Sequence, residues 1–124
     1  MIADKGFGKN FRLLSASDFA RLKKNAQLFK SHTFFIYHRS NEDLSLNHAR
    51  LGIAVSKKVG KAHDRNRLKR IIRELFRQHD LKNKPFDLLI VVQRPRRYEE
   101  QEFSHFESVF LRDLNFAFSK LVES

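Results

Sequence analysis

The chain contains no cysteine and no tryptophan, and only two prolines and four glycines in 124 residues. Without cysteine there are no disulfides, no thiolate metal cages and no thiol nucleophile. Long apolar runs are missing as well. The longest, Leu88 to Val92, falls far short of the roughly 20 residues that a membrane-spanning helix needs. Met1 to Lys9 lacks the apolar stretch of a secretory signal, so the chain reads as cytoplasmic and without a membrane partner. The six histidines show neither HxxxH nor HExxH spacing, which argues against a histidine-held metal, and metal ligands stay unknown. Gly60-Lys61 lacks the upstream glycine of a phosphate-binding P-loop, because Val55 stands in its place. No Ser/His/Asp, Cys/His or paired-carboxylate set can be assembled. No side chain is therefore assigned a catalytic role, and no small-molecule cofactor is expected.

Acid is scarce: 14 Asp+Glu stand against 25 Lys+Arg, a net charge of +11. Such an excess suits a polyanionic partner. It is also unevenly placed. Residues 1–98 carry 23 Lys+Arg against 8 Asp+Glu, a net of +15, and residues 99–124 carry 2 against 6, a net of −4. The basic function therefore belongs to the first four-fifths of the chain. What the chain has in abundance is phenylalanine, thirteen in all, within a hydrophobic fraction of 41%. That suffices for the core of a single domain over residues 1–124.

Residues 1–10 read as a flexible basic arm, within an irregular stretch that runs to residue 14. Ser15 to Asp18 has the spacing of a capping box and predicts a helix to about Asn25, with Phe19, Leu22 and Ala26 on one side. Thr33 to Arg39 reads as a strand in which Phe34, Ile36 and His38 face one way and Phe35, Tyr37 and Arg39 the other. Ser40 to His48 is a polar connector with the character of a hairpin loop. Ala49 to Ser56 is a second strand, large on its Leu51, Ile53 and Val55 face and small at Gly52, Ala54 and Ser56. A helix follows from about Lys61 to His79. Phe86 to Gln93 is an almost continuously apolar strand, as expected when both faces are covered. Arg94 to Arg97 is a basic turn, and Glu99 to Val122 forms the last helix, lined by Phe103, Phe106, Phe110, Leu114, Ala117 and Leu121. Glu99, Glu100 and Glu102 complement the positive end of its dipole. The order predicts an α+β fold, an α/β sandwich around one small sheet.

The strongest functional signal is Lys57 to Arg77, with nine Lys+Arg against Asp64 and Glu74. Lys57, Lys58 and Lys61 precede or open the helix. On a helical wheel Asn66, Arg70, Arg73 and Arg77 fall opposite Leu68, Lys69 sits beside them, and Arg65 and Arg67 flank the two sides. Guanidinium forks match phosphate oxygens, which suits an RNA backbone. A second signal is aromatic: Phe35 and Tyr37 share one strand face, within reach of Phe19, and rings beside cations hold unpaired bases.

The run Ala62-His63-Asp64-Arg65-Asn66-Arg67-Leu68-Lys69-Arg70 closely resembles the signature of the bacterial ribonuclease P protein. So does its continuation to Ile72-Arg73-Glu74 and Phe76-Arg77, and so does the preceding Val55-Ser56-Lys57-Lys58 with Gly60 and Ala62. FRLLSASDF, TFFIY, the RLG at Arg50 to Gly52 and the apolar strand after the motif follow in the family's order, over roughly residues 10–120. The resemblance implies an α-β-β-β-α-β-α fold with a left-handed βαβ crossover. It implies a protein subunit that assists a catalytic RNA in removing 5′ leaders from precursor tRNA, with Mg²⁺ held mainly by the RNA. Lys57, Lys58, Lys61, Arg65, Asn66, Arg67, Lys69, Arg70, Arg73 and Arg77 would face the catalytic RNA. Phe19, Phe35 and Tyr37, with Arg65 and Asn66, would line the leader cleft. Lys23 stands where many members carry a second cleft aromatic. Two alternatives stay open: a ribosomal or ribosome-associated RNA-binding protein without enzymatic assembly, and a stand-alone nuclease needing a carboxylate cluster not visible here.

Overall fold

The most continuously apolar segment takes the centre of the sheet. A computed structural model of the protein describes residues 11–13, 16–41 and 49–123. Its strands are β1 (Phe11–Leu13), β2 (Gln27–Lys30), β3 (Phe34–Ser40), β4 (Ala49–Val55) and β5 (Phe86–Val92), in the spatial order β1-β4-β5-β3-β2. Three helices, α1 (Ala16–Asn25), α2 (Ala62–Gln78) and α3 (Phe103–Glu123), complete an α+β sandwich. β5 runs parallel to β4 and antiparallel to β3. Leu88, Leu89 and Ile90 are all fully buried. Both faces of β5 are covered, which is why its sequence does not alternate.

The element order is the expected one, preceded by β1, which pairs in parallel with β4. Three residues carry no readable period, so β1 was not visible in the sequence. The expected hairpin between β3 and β4 does not form, because β5 lies between them. A strand apolar on both faces is most stable in a central position, and its insertion separates the two strands that precede it. The connector at 42–48 and the arm at 1–10 lie outside the described residues. The last helix starts at Phe103 rather than Glu99: a short 3-10 turn at Arg96–Tyr98 comes first, and Glu99 and Glu100 lie in the turn after it.

α2 and α3 cover one face. Leu68, Ile72 and Phe76 from α2 meet Phe34, Ile36, Leu51, Leu88, Ile90 and Val92 from the sheet. α3 closes the layer with Phe106, Phe110, Leu114, Ala117, Phe118 and Leu121. Phe34 meets Phe110 edge-on with ring centroids 5.6 Å apart, and Phe76 meets Phe118 at 5.7 Å. Phe118 lies beside the stripe read from the sequence, and its neighbour Phe116 is 59% exposed.

α1 covers the other face. Leu22 and Leu89 form its buried centre, with Phe19, Ala26, Tyr37, Ala54 and Val91 packed around them. At one end of this face the buried Asp87 is held by the Arg50 fork, Nε to Oδ1 at 2.9 Å and Nη2 to Oδ2 at 2.7 Å. Asn41 Nδ2 donates to Oδ1 at 2.9 Å. A buried carboxylate needs such partners, because its charge is costly to leave unpaired.

The alternation along β3 is thus resolved: Phe34 and Ile36 are fully buried, and Phe35 and Tyr37 are half-buried on the α1 side. Phe34→Ala should lower stability by about 3–5 kcal/mol, as for other buried Phe truncations. Phe35→Ala should cost less than about 2 kcal/mol, since only part of its area leaves water. Urea denaturation of both variants checks this, and equal losses would mean that both rings belong to the core.

Candidate nucleic-acid interface

The basic segment is assembled at the start of α2. After β4 the chain makes a 3-10 turn at Lys57–Val59, passes Gly60, and enters α2 with Lys61 at its N-cap. Lys57, Lys58 and Lys61 are exposed. Lys61 makes no side-chain cap hydrogen bond, and Asp64 is the only acid in the first turn. Cations at the positive end of a helix dipole are unfavourable, whereas anions are favoured there. This end of the molecule is therefore poor in self-compensation and well suited to a phosphate.

Farther along α2 the structure separates the cations. Asn66 and Arg70 are exposed on the outer surface. Arg65, Lys69 and Arg73 follow at four-residue spacing on the flank away from α3, each half-buried. Arg65 Nε donates to the Gly60 carbonyl at 3.1 Å. Two arginines are less open than the wheel suggested. Arg67 turns to α3 and forms a fork with Glu107, Nε to Oε1 at 2.9 Å and Nη2 to Oε2 at 3.2 Å. Those hydrogen bonds, and then the Glu107 charge, hold the Arg67 guanidinium above its usual basicity. Arg77 pairs with Glu74, whose carboxyl is lowered in turn, first by the hydrogen bond from Arg77. A wheel built on α2 alone cannot show Glu107, which comes from another helix. Lys57, Lys58, Lys61, Lys69 and Arg70 make no ion pair among the described residues.

The aromatic surface lies on the opposite layer. Across the sheet, Lys30, Phe35, Val91 and Ala54 stand in one row and Leu28, Tyr37, Leu89 and Gly52 in the next. A third row holds Arg39, Asp87 and Arg50. On β4 Gly52 is buried and Ala54 packs against the Leu22 and Leu89 cluster. Phe19 and Tyr37 pack about the same small cluster, whereas Phe35 lies one row away. Arg65 and Asn66 are not on this face. They rise from α2 beyond the end of β4, at the same end of the sheet as the Phe35 row. Lys23 is exposed in the last turn of α1.

Arg94, read from the sequence only as part of a basic turn, is spent on the backbone. It donates to Val59 O at 3.1 Å, to Tyr98 O at 3.0 and 3.2 Å, and to Gln101 O at 2.8 Å. Its guanidinium also lies 5.5 Å from the Phe103 ring centroid and 5.6 Å from that of Phe106. It thereby joins the turn before α2 to the turn before α3. Gly60 completes the joint: a Cβ there would lie 3.2 Å from Phe103 Cε1. The only signal available in sequence was an arginine just after a buried strand, which is too common to single it out.

A family model described as Ribonuclease P matches residues 7–121. The ribonuclease P protein component of Staphylococcus epidermidis is 39% identical over 89 residues, 72% of this chain and 76% of that protein. The ribonuclease P protein component of Legionella pneumophila is 42% identical over 90 residues, 72% of this chain and 74% of that protein. The solved structure of the Staphylococcus aureus RNase P protein superposes with a TM-score of 0.68 at 30% identity, covering 88% of this chain and 96% of that one. The fold and its basic face are those of an RNA-binding α/β sandwich. The chain belongs to the bacterial ribonuclease P protein family, whose members are the protein subunits of an endoribonuclease that processes tRNA. A ribosomal protein without enzymatic assembly is no longer a competing account.

Arg94→Lys keeps the charge but loses the fork that reaches three carbonyls. It should destabilise the fold by about 2–4 kcal/mol, because the released carbonyls of Val59 and Tyr98 are partly buried. Chemical denaturation measures this; a loss within about 0.5 kcal/mol, as for an ordinary surface change, would show that the clamp is dispensable.

Proposed function

We propose that this chain binds the catalytic RNA of ribonuclease P through the start and outer surface of α2, and the single-stranded 5′ leader of precursor tRNA across the α1 face of the sheet. The observation that carries the proposal is the cationic start of α2. Lys57, Lys58 and Lys61 crowd the positive end of a helix dipole, and a bound phosphate answers both charges at once. Lys69, Arg70, Arg73 and Asn66 extend that surface along the RNA backbone. Arg67 and Arg77 contribute less, because Glu107 and Glu74 already occupy their forks. Arg65 and Asn66 stand between the two surfaces, where an RNA strand passes from one to the other.

On the α1 face, unpaired bases stack on Tyr37 and Phe35, with Phe19 at the wall and Lys30 for a phosphate. Among the described residues no three His, Asp or Glu are placed to hold a metal ion. The proposal leaves Mg²⁺, and the hydrolysis it supports, with the RNA. The protein neutralises charge and positions substrate. Among the described residues no helix is long and apolar enough to cross a membrane, and the proposed site of action is the cytoplasm, where precursor tRNA is made.

Two substitutions test the two surfaces separately in the reconstituted holoenzyme. Tyr37→Ala should weaken binding of leader-bearing precursor tRNA by about 1–3 kcal/mol and hardly affect leaderless tRNA. Arg70→Ala should instead weaken binding to the catalytic RNA and lower the salt slope by about 0.7–0.9 in log–log terms. Equal loss for both tRNAs in Tyr37→Ala, or an unaltered slope in Arg70→Ala, would refute the corresponding surface.

A further inference from the structure

The two flanks of α2 differ in charge. The flank away from α3 carries Arg65, Lys69 and Arg73 at four-residue spacing. On the flank that faces α3, charge is cancelled in pairs. Arg67 forks onto Glu107 through Nε and Nη2, at 2.9 and 3.2 Å. Farther along, Glu74 takes the Arg77 guanidinium and, at 2.9 Å, the Gln78 amide. Between these pairs the groove separating the two helices is mainly apolar, a cavity of about 280 Å³ lined by Ile71, Leu75 and Leu111 with Glu74 and Gln78. Nothing in that lining attracts a phosphate.

Glu107 decides what Arg67 can do. Its side chain is only 13% exposed, against 52% for Arg67. A carboxylate so far from water needs its cation. A phosphate that drew Arg67 away would strand Glu107 and bring a second negative charge beside it. The fork therefore stays closed, and the pair shows a polyanion no net charge. That has a consequence for selectivity. Non-specific RNA binding grows with each phosphate a protein neutralises, whatever the sequence. A cation outside the path of the proper partner strengthens only the wrong complexes.

We propose that Glu107 is a specificity-determining residue: it withholds Arg67 from phosphates that approach the α3 flank of α2, and so confines RNA to the start and outer surface of that helix. The proposal rests on the reading of α2 as the face for the catalytic RNA. An RNA docked there in one orientation loses nothing by the pairing of Arg67. An unrelated RNA, free to lie in any orientation, loses one cation.

The test is equilibrium binding of the full chain, across a salt series, to the catalytic RNA and to an RNA duplex of unrelated sequence. In Glu107→Gln the freed guanidinium should steepen the log–log salt slope for the unrelated duplex by about 0.7–0.9, so that its affinity falls about threefold further than in wild type between roughly 50 and 200 mM salt. The slope for the catalytic RNA should not move. Adding Arg67→Gln to Glu107→Gln should remove the gain, since no guanidinium is left to be freed. Glu107→Met takes away the charge without placing an amide at this part-buried position. It should show the same gain, and it replaces Glu107→Gln if that variant melts early. Equal steepening for both RNAs, no steepening in the Glu107 variants, or a gain that survives Arg67→Gln overturns the proposal. If Arg70→Ala lowers the slope for the catalytic RNA and the Glu107 variants do not act, only this proposal falls. If Arg70→Ala leaves that slope unaltered, the α2 surface falls and this proposal with it.

Discussion

One guanidinium holds the basic end of this molecule together. Arg94 binds carbonyls of Val59, Tyr98 and Gln101 and covers the rings of Phe103 and Phe106. The turn before α2 carries Lys57, Lys58 and Lys61, which repel one another and oppose the helix dipole. Holding that turn with a carboxylate would have cancelled the positive field. Holding it with neutral carbonyls keeps the field and still fixes the backbone. The same joint sets where α3 begins, and so where Glu107 meets Arg67.

Charge is divided among three roles as a result. Arg94 and Arg50 work inward, on carbonyls and on Asp87. Arg67 and Arg77 pair with carboxylates on the surface. Lys57, Lys58, Lys61, Lys69 and Arg70 have no ion pair among the described residues. The third group is what a polyanion would neutralise: three lysines at the start of α2, with Lys69 and Arg70 at its middle. α3, whose Glu107 pairs with Arg67, lies on the opposite flank of α2 from Arg65, Lys69 and Arg73. It bounds the basic surface on that side.

Much of this was legible in the sequence where one element decides the outcome. The two-residue alternation of β3 separated Phe34 and Ile36 from Phe35 and Tyr37. The spacing of Leu68, Ile72 and Phe76 oriented α2. The unbroken apolarity of Phe86 to Val92 announced a strand covered twice. What stayed hidden depends on pairs of elements. A hairpin between β3 and β4 looked natural until β5 took the place between them. Arg67 looked outward until α3 brought Glu107 to it. Arg94 had no pattern at all, since its partners are backbone carbonyls of the two turns that precede α2 and α3. The roles of Phe19 and Tyr37 came from the family resemblance, and their packing around Leu22 and Leu89 is compatible with a shared surface.

The proposed function gives binding and positioning to the protein and the reaction to its RNA partner. The measurement that tests this most directly is precursor tRNA cleavage across a Mg²⁺ series, with protein alone, catalytic RNA alone and both together. The account predicts no cleavage by the protein alone, and an enhancement by the protein that is greatest at low Mg²⁺, where its cations replace missing counterions. Robust cleavage by RNA-free protein, abolished by a single carboxylate substitution, would contradict it.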